Sequence, residues 1–506
     1  MLERYLKMIS NSCVYDIASE TPLVMADRLS GRLDNTVWMK REDLQSVHSF
    51  KLRGAYNKLA SLSAEECRKG VIAASAGNHA QGVALAARTR GIKALIVMPV
   101  TTPSIKVESV RLLGARIKLA GDTYDEAYAI AAEIAEAKGM AFIHPYDDPL
   151  VIAGQGTIGL EILREHQGDI HAIFVPVGGG GLIAGIAACV KALQPSVRVI
   201  GVEPDEAPCM HEALKLGRRV KLKQVGIFAD GVAVRQAGKE PFRIARECVD
   251  EVILVSTDEI CAAIKDIFDE CRSVVEPAGA LAIAGVKRYV ERTGISGAEL
   301  VAINSGANIN FDRLRHVSER AEIGEQREAL LAVTIPEQPG SFRRFCRALG
   351  KRGITEFNYR YADAQQAHVF AGVQLEGGNE ERDQLVSRLR DAGYPVEDLT
   401  GSEIAKLHIR YMVGGRVAGL TDEVLYRFQF PERPGALLTF LTSMGKRWNI
   451  SLFHYRNHGA DYGRVLVGIQ VPRSSHKEFR GFLDDLGYLY WEETDSRAYN
   501  LFLGSN

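Results

Sequence analysis

Short, continuously apolar runs alternate with Ala-rich amphipathic stretches over the first 310 residues. GVIAAS (70–75) reads as a strand and QGVALAARTRG as the helix behind it. ALIVMPV (94–100) with SIKVESVRLLG, and AIFVPVG (172–178) with LIAGIAACVKAL, repeat the pair, and VRVIGVEP (197–204) adds another strand. Strands without polar alternation, separated by helices, predict parallel sheets covered on both faces. Such sheets bind ligands beyond the carboxyl ends of their strands. Candidate chemistry therefore belongs in the strand-to-helix turns.

The pattern changes after residue 311. DRLRHVSERAEIGEQRE (312–328) is strongly charged and reads as a solvated connecting helix. Beyond it the chain repeats itself. Pro336, Pro339, Gly340, Phe345, Gly350 and Lys351 recur 95 positions later as Pro431, Pro434, Gly435, Phe440, Gly445 and Lys446. After one inserted residue, Ile354, Phe357 and Tyr359 recur as Ile450, Phe453 and Tyr455. Each copy reads strand, helix, strand, strand, helix, strand, the split βαβ order of small α+β modules. The boundaries expected are 1–311 for an α/β region, 312–328 for the connecting helix, and 329–401 and 424–495 for the two modules. Neither copy holds an acid–base cluster, so the tail is expected to bind or assemble.

Composition narrows the class. The chain has 506 residues, 46% hydrophobic and 25% charged, and its 62 Lys plus Arg against 63 Asp plus Glu leave a formal charge of −1. That balance argues against nucleic-acid binding, which needs a basic surface. No run approaches the roughly 20 apolar residues of a membrane-spanning helix. The start, MLERYLKMIS, lacks the basic-then-apolar order of a secretory signal. Eight cysteines without a CxxC pair suggest neither a disulfide framework nor a structural zinc, and a cytoplasmic location is expected.

Four segments fall at predicted strand ends or turns. In Ser49-Phe50-Lys51-Leu52-Arg53-Gly54, Lys51 opens a helical run, where the positive end of the helix dipole disfavours an ammonium. A lysine with a lowered pKa is what carbonyl chemistry needs, because only the neutral amine attacks. The bland alternative is a solvated surface charge. Ser75-Ala76-Gly77-Asn78-His79 follows a strand and suits an anion such as a carboxylate, or else is a plain turn with Asn as helix cap. Gly178-Gly179-Gly180-Gly181-Leu182 is wedged between apolar elements, unlike a flexible linker, and fits a phosphate at a helix start. It lacks both the G-x-G-x-x-G spacing of dinucleotide sites and the GK[ST] of a Walker loop. Asn304-Ser305-Gly306-Ala307-Asn308 offers a neutral hydroxyl to a ring nitrogen, or is an ordinary turn. An amine, a phosphate cradle, an anion loop and a neutral hydroxyl together match the needs of pyridoxal phosphate acting on an amino acid.

SFKLRGA, SAGNHAQG, the GGGG run and SGAN, in this order, resemble the fold-type II pyridoxal-phosphate enzymes, and most closely the biosynthetic threonine ammonia-lyases. The resemblance implies an α/β catalytic region followed by two ACT-like regulatory modules. It implies that Lys51 is joined covalently to the cofactor's aldehyde carbon. Asn78 would meet the ring oxygen, Gly178 to Gly181 with Leu182 the phosphate, Ser305 the pyridine nitrogen, and Phe50 the ring flank. Ser75, Gly77 and His79 would line the substrate carboxylate, and Glu276 would lie near the ring. The expected reaction is deamination of L-threonine to 2-oxobutanoate and ammonia, with some action on L-serine. Isoleucine is the expected inhibitor and valine its antagonist, with Tyr359 and Tyr455 as candidate effector contacts, unless both are simply core aromatics. A homotetramer is implied.

Metal-stimulated serine racemases place a Glu, a carbonyl four residues on and an Asp six on; here Glu203 is followed by Ala207 and Cys209. A hard cation prefers oxygen, so no divalent metal is expected. The rival readings are a serine-selective dehydratase or racemase on the same scaffold, and a non-catalytic amino-acid sensor.

Overall fold

The computed structural model describes residues 1–431, 435–456 and 462–503; Pro434 of the repeat lies outside them. The chain divides into two compact units, Met1–Ala321 and Glu322–Asn506.

The first unit contains two sheets. The larger one runs, in spatial order, Leu23–Met25, Thr36–Arg41, Glu299–Asn304, Ile170–Pro176, Arg198–Pro204 and Glu251–Val255. All its pairings are parallel except that of the short first strand with Thr36–Arg41. Alternate side chains feed two cores. Val175, Val301 and Ile303 pack with the helices Pro149–Glu165 and Gly181–Leu193, while Phe174, Leu300 and Ala302 pack with Thr257–Cys271 and Pro277–Thr293. Both faces are therefore apolar, which explains the unbroken hydrophobic runs.

The smaller sheet is wholly parallel, in the order Arg116–Leu119, Ala94–Met98, Val71–Ala74, Ala141–Phe142. In each sheet one strand has neighbours that follow it in opposite directions across the sheet: Val71–Ala74 in the small one and Ile170–Pro176 in the large one. The carboxyl ends of these strands are the topological switch points. The segment Ser75–His79 leaves the first, and the glycine run leaves the second.

The charged segment forms a helix only over Arg313–Gly324; the backbone turns at Gln326, where φ is 57°, and a strand begins at Glu328. Nor is it solvated all round. Val317 and Ala321, one helical turn apart, are buried in the core of the first unit.

In the second unit the repeat yields two βαββαβ modules in one eight-stranded antiparallel sheet, ordered Val396–Asp398, Glu328–Pro336, Gln366–Gln374, Ile354–Arg360, Asn449–Arg456, Tyr462–Gln470, Glu423–Pro431, Leu489–Glu492. The modules join where Phe357 pairs with Tyr455, Asn358 with His454, and Tyr359 with Phe453. Because Asn358 faces its own repeat-mate His454 while Phe357 and Tyr359 face each other's, the seam has local twofold pseudo-symmetry about Asn358 and His454. Among the described residues no helix is long and apolar enough to cross a membrane.

Candidate active site

Every residue assigned to the cofactor or the substrate in the first unit lines one cavity of about 960 Å³, including Phe50, Lys51, Ser75, Asn78, the glycine run and Ser305. Gly77, His79, Leu182 and Glu276 also border it. Three helices begin at this cavity: Lys51–Ala60, Asn78–Thr89 and Gly181–Leu193. Their unpaired N–H groups make the walls attractive to anions.

Lys51 is held at the first position of its helix. Phe50 N–H donates to the Ser305 carbonyl at 3.2 Å, and Ser49 bridges to Gly306, so the lysine turn is stitched to the end of the strand Glu299–Asn304. The Lys51 nitrogen lies 4.7 Å from the centre of the Phe50 ring. Burial lowers its pKa, while Glu276 and Asp230 pull the other way. Two residues on, Arg53 is fully buried and ion-paired with Glu42 and Glu161, and Lys40 pairs with Glu161 at 2.8 Å. Lys40 also lies 3.5 Å from the more exposed Glu165, and this charge cluster pins the helix from behind.

Asn78 is clamped on both sides. Its Nδ2 donates to Glu276 Oε1 at 2.6 Å, and its Oδ1 accepts from Asn308 Nδ2 at 2.8 Å. The carboxamide orientation is thus set, leaving its second N–H to the cavity. Burial, aided by Asp230, pushes the Glu276 carboxyl up to about 7 against the pull of Lys51 and the Asn78 bond. Glu276 also accounts for a glycine: a methyl on Gly306 would come within 2.9 Å of its Oε1.

The glycine run has a steric cause. A methyl on Gly179 would fall 2.3 Å from the Tyr146 ring, and one on Gly181 2.9 Å from the Tyr146 Cα. Gly180, at φ 94°, takes the left-handed conformation that starts its helix. Cys209 Sγ donates to the Gly178 carbonyl at 3.3 Å, supporting the turn from outside. Glu203 accepts N–H bonds from Met210 and His211, each at 2.8 Å, and burial raises its carboxyl to about 8. Its oxygens anchor a helix start.

His79 borders the cavity but donates its Nε2–H to the Ile143 carbonyl at 2.9 Å, and burial drops its pKa to about 3. A neutral ring in that tautomer offers no charge to a carboxylate. Ser305 is buried, with Oγ donating to the Ala278 carbonyl at 3.3 Å. The hydroxyl can rotate about its bond, so the same oxygen would be able to donate to a ring nitrogen instead. Tyr359 and Tyr455 lie in the core of the second unit, where the Tyr359 hydroxyl bonds Glu337. The clamp through Asn308, the Tyr146 ring and the charge cluster around Arg53 were not anticipated from sequence. Asn308 at least stood inside a flagged segment.

The chain matches the family described as pyridoxal-phosphate dependent enzyme over residues 14–306. It matches the C-terminal regulatory domain of threonine dehydratase twice, over 319–409 and 414–503. It is 58% identical to the biosynthetic L-threonine dehydratase of Burkholderia multivorans over 502 residues, covering 99% of each chain. The chain belongs to the biosynthetic threonine dehydratases. The corresponding dehydratase of Escherichia coli is 53% identical over 499 residues, covering 99% of this chain and 97% of that one. Among solved structures, the processed form of threonine deaminase isoform 2 from Solanum lycopersicum is 53% identical with a TM-score of 0.63, spanning 64% of this chain and 88% of that one. Maize serine racemase is 31% identical with a TM-score of 0.57, spanning 63% and 95%.

Pyridoxal phosphate is the cofactor of this dehydratase, and the cavity fits it. A methyl on Gly178, Gly179 or Gly181 would run into Val232 or Tyr146, so the run presents bare backbone, whose N–H groups would be free to meet a phosphate. Lys51 offers a half-buried amine and Ser305 a neutral hydroxyl on the same wall.

Proposed function

We propose that this dehydratase removes water from L-threonine to give an enamine, whose imine tautomer takes one water back on hydrolysis, so that the net products are 2-oxobutanoate and ammonia. The observation that carries the reading is the half-buried Lys51 amine, its pKa lowered, sharing one cavity with the glycine cradle. Bound pyridoxal phosphate supplies an aldehyde for the substrate amine and a ring that acidifies the α-carbon. Lys51, released as a neutral amine, receives the α-proton on Nζ. The N–H groups that follow Ser75 hold the carboxylate and so fix which bond stands perpendicular to the ring. Asn78, locked by Glu276 and Asn308, gives its free N–H to the ring oxygen. Ser305 gives the ring nitrogen a hydrogen bond rather than a full proton, which favours prompt loss of the β-hydroxyl over transamination. Closely packed Phe50 and Leu182 exclude water from the ring.

Serine lacks one methyl, a difference worth only about 1–3 kcal/mol in a pocket, so slower turnover of serine accompanies that of threonine. The reaction is the first committed step toward isoleucine, in the cytoplasm, carried by residues 1–311 of a homotetramer. The modules at 329–401 and 424–495 take isoleucine as inhibitor and valine as its antagonist, near Tyr359 and Tyr455. Keto-acid formation from threonine and serine, with and without isoleucine, tests the reading. Borohydride reduction of the holoenzyme is expected to tag the peptide carrying Lys51. A colourless reconstituted protein with no tag at that lysine overturns it. Tyr359→Phe and Tyr455→Phe, with thermal stability measured alongside, are expected to weaken inhibition; unchanged inhibition in both removes the two tyrosines from the effector sites.

A further inference from the structure

The turn Phe228–Val232 touches two places that the catalytic reading leaves unconnected. On one side it is gripped by the helix Arg313–Gly324. Arg313 Nη1 donates to the Phe228 carbonyl at 2.6 Å and lies 3.4 Å from Asp230 Oδ1. The Phe228 and His316 rings are 5.2 Å apart. Val232 shares its buried core with Val317 and Ala321 of the same helix.

On its other side the same turn forms cavity wall. Val232 sits against the cofactor cradle so closely that a methyl on Gly178 would come within 2.9 Å of its Cα. A methyl on Gly231 would lie 3.4 Å from Glu276 Oε1. Asp230 favours the charged form of Lys51 and the neutral form of Glu276, and its second oxygen pairs with Lys106 at 2.5 Å. The charged and titratable groups around Asp230 are thus Lys106, Arg313, Glu276 and Lys51. The helix that grips the turn is the chain's only covalent path into the second unit, whose first residue is Glu322.

We infer that the turn Phe228–Val232 is the strap through which the position of the helix Arg313–Gly324 acts on the cofactor cradle and the Lys51 amine. Coupling between distant sites requires an element with two arrangements that both sites bias. The strap qualifies physically. Its ion pairs are partly exposed, with Asp230 36% and Arg313 30% accessible, and exposed pairs exchange at little cost. Its far end, by contrast, sets the Val232 backbone against Gly178 and Gly231 beside the Ala278 and Glu276 side chains, so a shift at Arg313 is passed to the cradle rather than absorbed. The inference rests on the reading of this chain as an effector-regulated dehydratase.

The test uses the full-length holoenzyme with Arg313→Gln, His316→Ala and the double variant. Three quantities are read: isoleucine binding by calorimetry without substrate, the isoleucine concentration for half-inhibition, and the melting temperature. For Arg313→Gln the expected result is basal kcat/KM within about twofold of the parent, isoleucine binding within about twofold, and a half-inhibitory concentration raised at least tenfold. Binding and inhibition then come apart, which a merely structural loss does not produce. Half-inhibition within twofold of the parent in the double variant overturns the strap. Loss of isoleucine binding together with inhibition also overturns it, because the residues would then belong to the effector site. A parent enzyme that neither binds nor responds to isoleucine overturns the regulatory reading itself, and the strap with it. Should the Arg313 variant melt early, Asp230→Asn supplies a second arm. Removing that negative charge is expected to lower the pH at which the bound cofactor's absorbance changes, and an unmoved midpoint overturns contact between strap and amine.

Discussion

Glu276→Gln makes the stability of the cofactor-free enzyme less dependent on pH. Glu276 is fully buried, and its carboxyl is pushed up to about 7 from an ordinary 4.5. The native state therefore binds that proton more tightly than the unfolded chain. Its contribution is full below about pH 4.5 and is gone once pH has risen through about 7. A difference of some 2.5 pKa units corresponds to roughly 3 kcal/mol. Glutamine keeps an acceptor for Asn78 Nδ2 and cannot ionise, so the variant lacks this loss. Titrating groups that do not act on Glu276 are common to both proteins and cancel in the comparison; Lys51, whose charged form Glu276 favours, remains coupled to the change. Urea unfolding of the apoenzyme at pH 5, 6.5 and 8 measures it. Trp38 reports the first unit when Trp448 and Trp491 are replaced by Phe, since those two belong to the second. The variant is expected to gain about 2.5 kcal/mol on the parent between pH 5 and pH 8, because the unfolded chain is already largely ionised at pH 5. A parent-to-variant difference that stays constant to within about 0.5 kcal/mol over that range refutes the reasoning.

Three further outcomes follow from the same geometry. Arg53→Met leaves Glu42 without its buried partner, 2.8 Å away, and is expected to cost roughly 3–5 kcal/mol of stability; adding Glu42→Gln recovers part of it, and a loss below about 1 kcal/mol contradicts the network's role. Gly180→Ala forces an L side chain to φ 94° at the head of the cradle helix. The dissociation constant of pyridoxal phosphate, read from absorbance during reconstitution, is expected to rise at least tenfold, and unchanged affinity argues against the turn as phosphate site. Dialysis against a chelator is expected to leave activity within about twofold, because both Glu203 oxygens already accept backbone N–H bonds; loss of activity that magnesium restores would falsify the metal-free reading.

The parallel character of the first region, four of its ten strands and the two βαββαβ copies were legible in the residues alone. Periodicity is a local property, and each sheet's burial on two faces imprints it on every strand. The site segments were legible for a related reason. Glycine, lysine and serine at strand ends are constrained by the backbone conformation and the chemistry required at that point of the chain. His79 illustrates the limit, since its place in SAGNH is clear from sequence, but its tautomer and neutrality depend on the carbonyl of Ile143, 64 positions away.

What only the tertiary structure decided is everything set by contacts between distant segments. The glycine run reads as a phosphate loop, yet the reason for Gly179 and Gly181 is Tyr146, which carries no signal of its own. Arg53 resembles any helical arginine until Glu42, Glu161 and Lys40 close around it. The charged segment reads as solvated because its polar residues outnumber Val317 and Ala321, although those two decide which face is buried. Local pattern records how each residue meets its own element. Burial and pKa depend on which elements the fold brings together, and long-range electrostatics and packing do not project back onto the neighbouring letters of the chain.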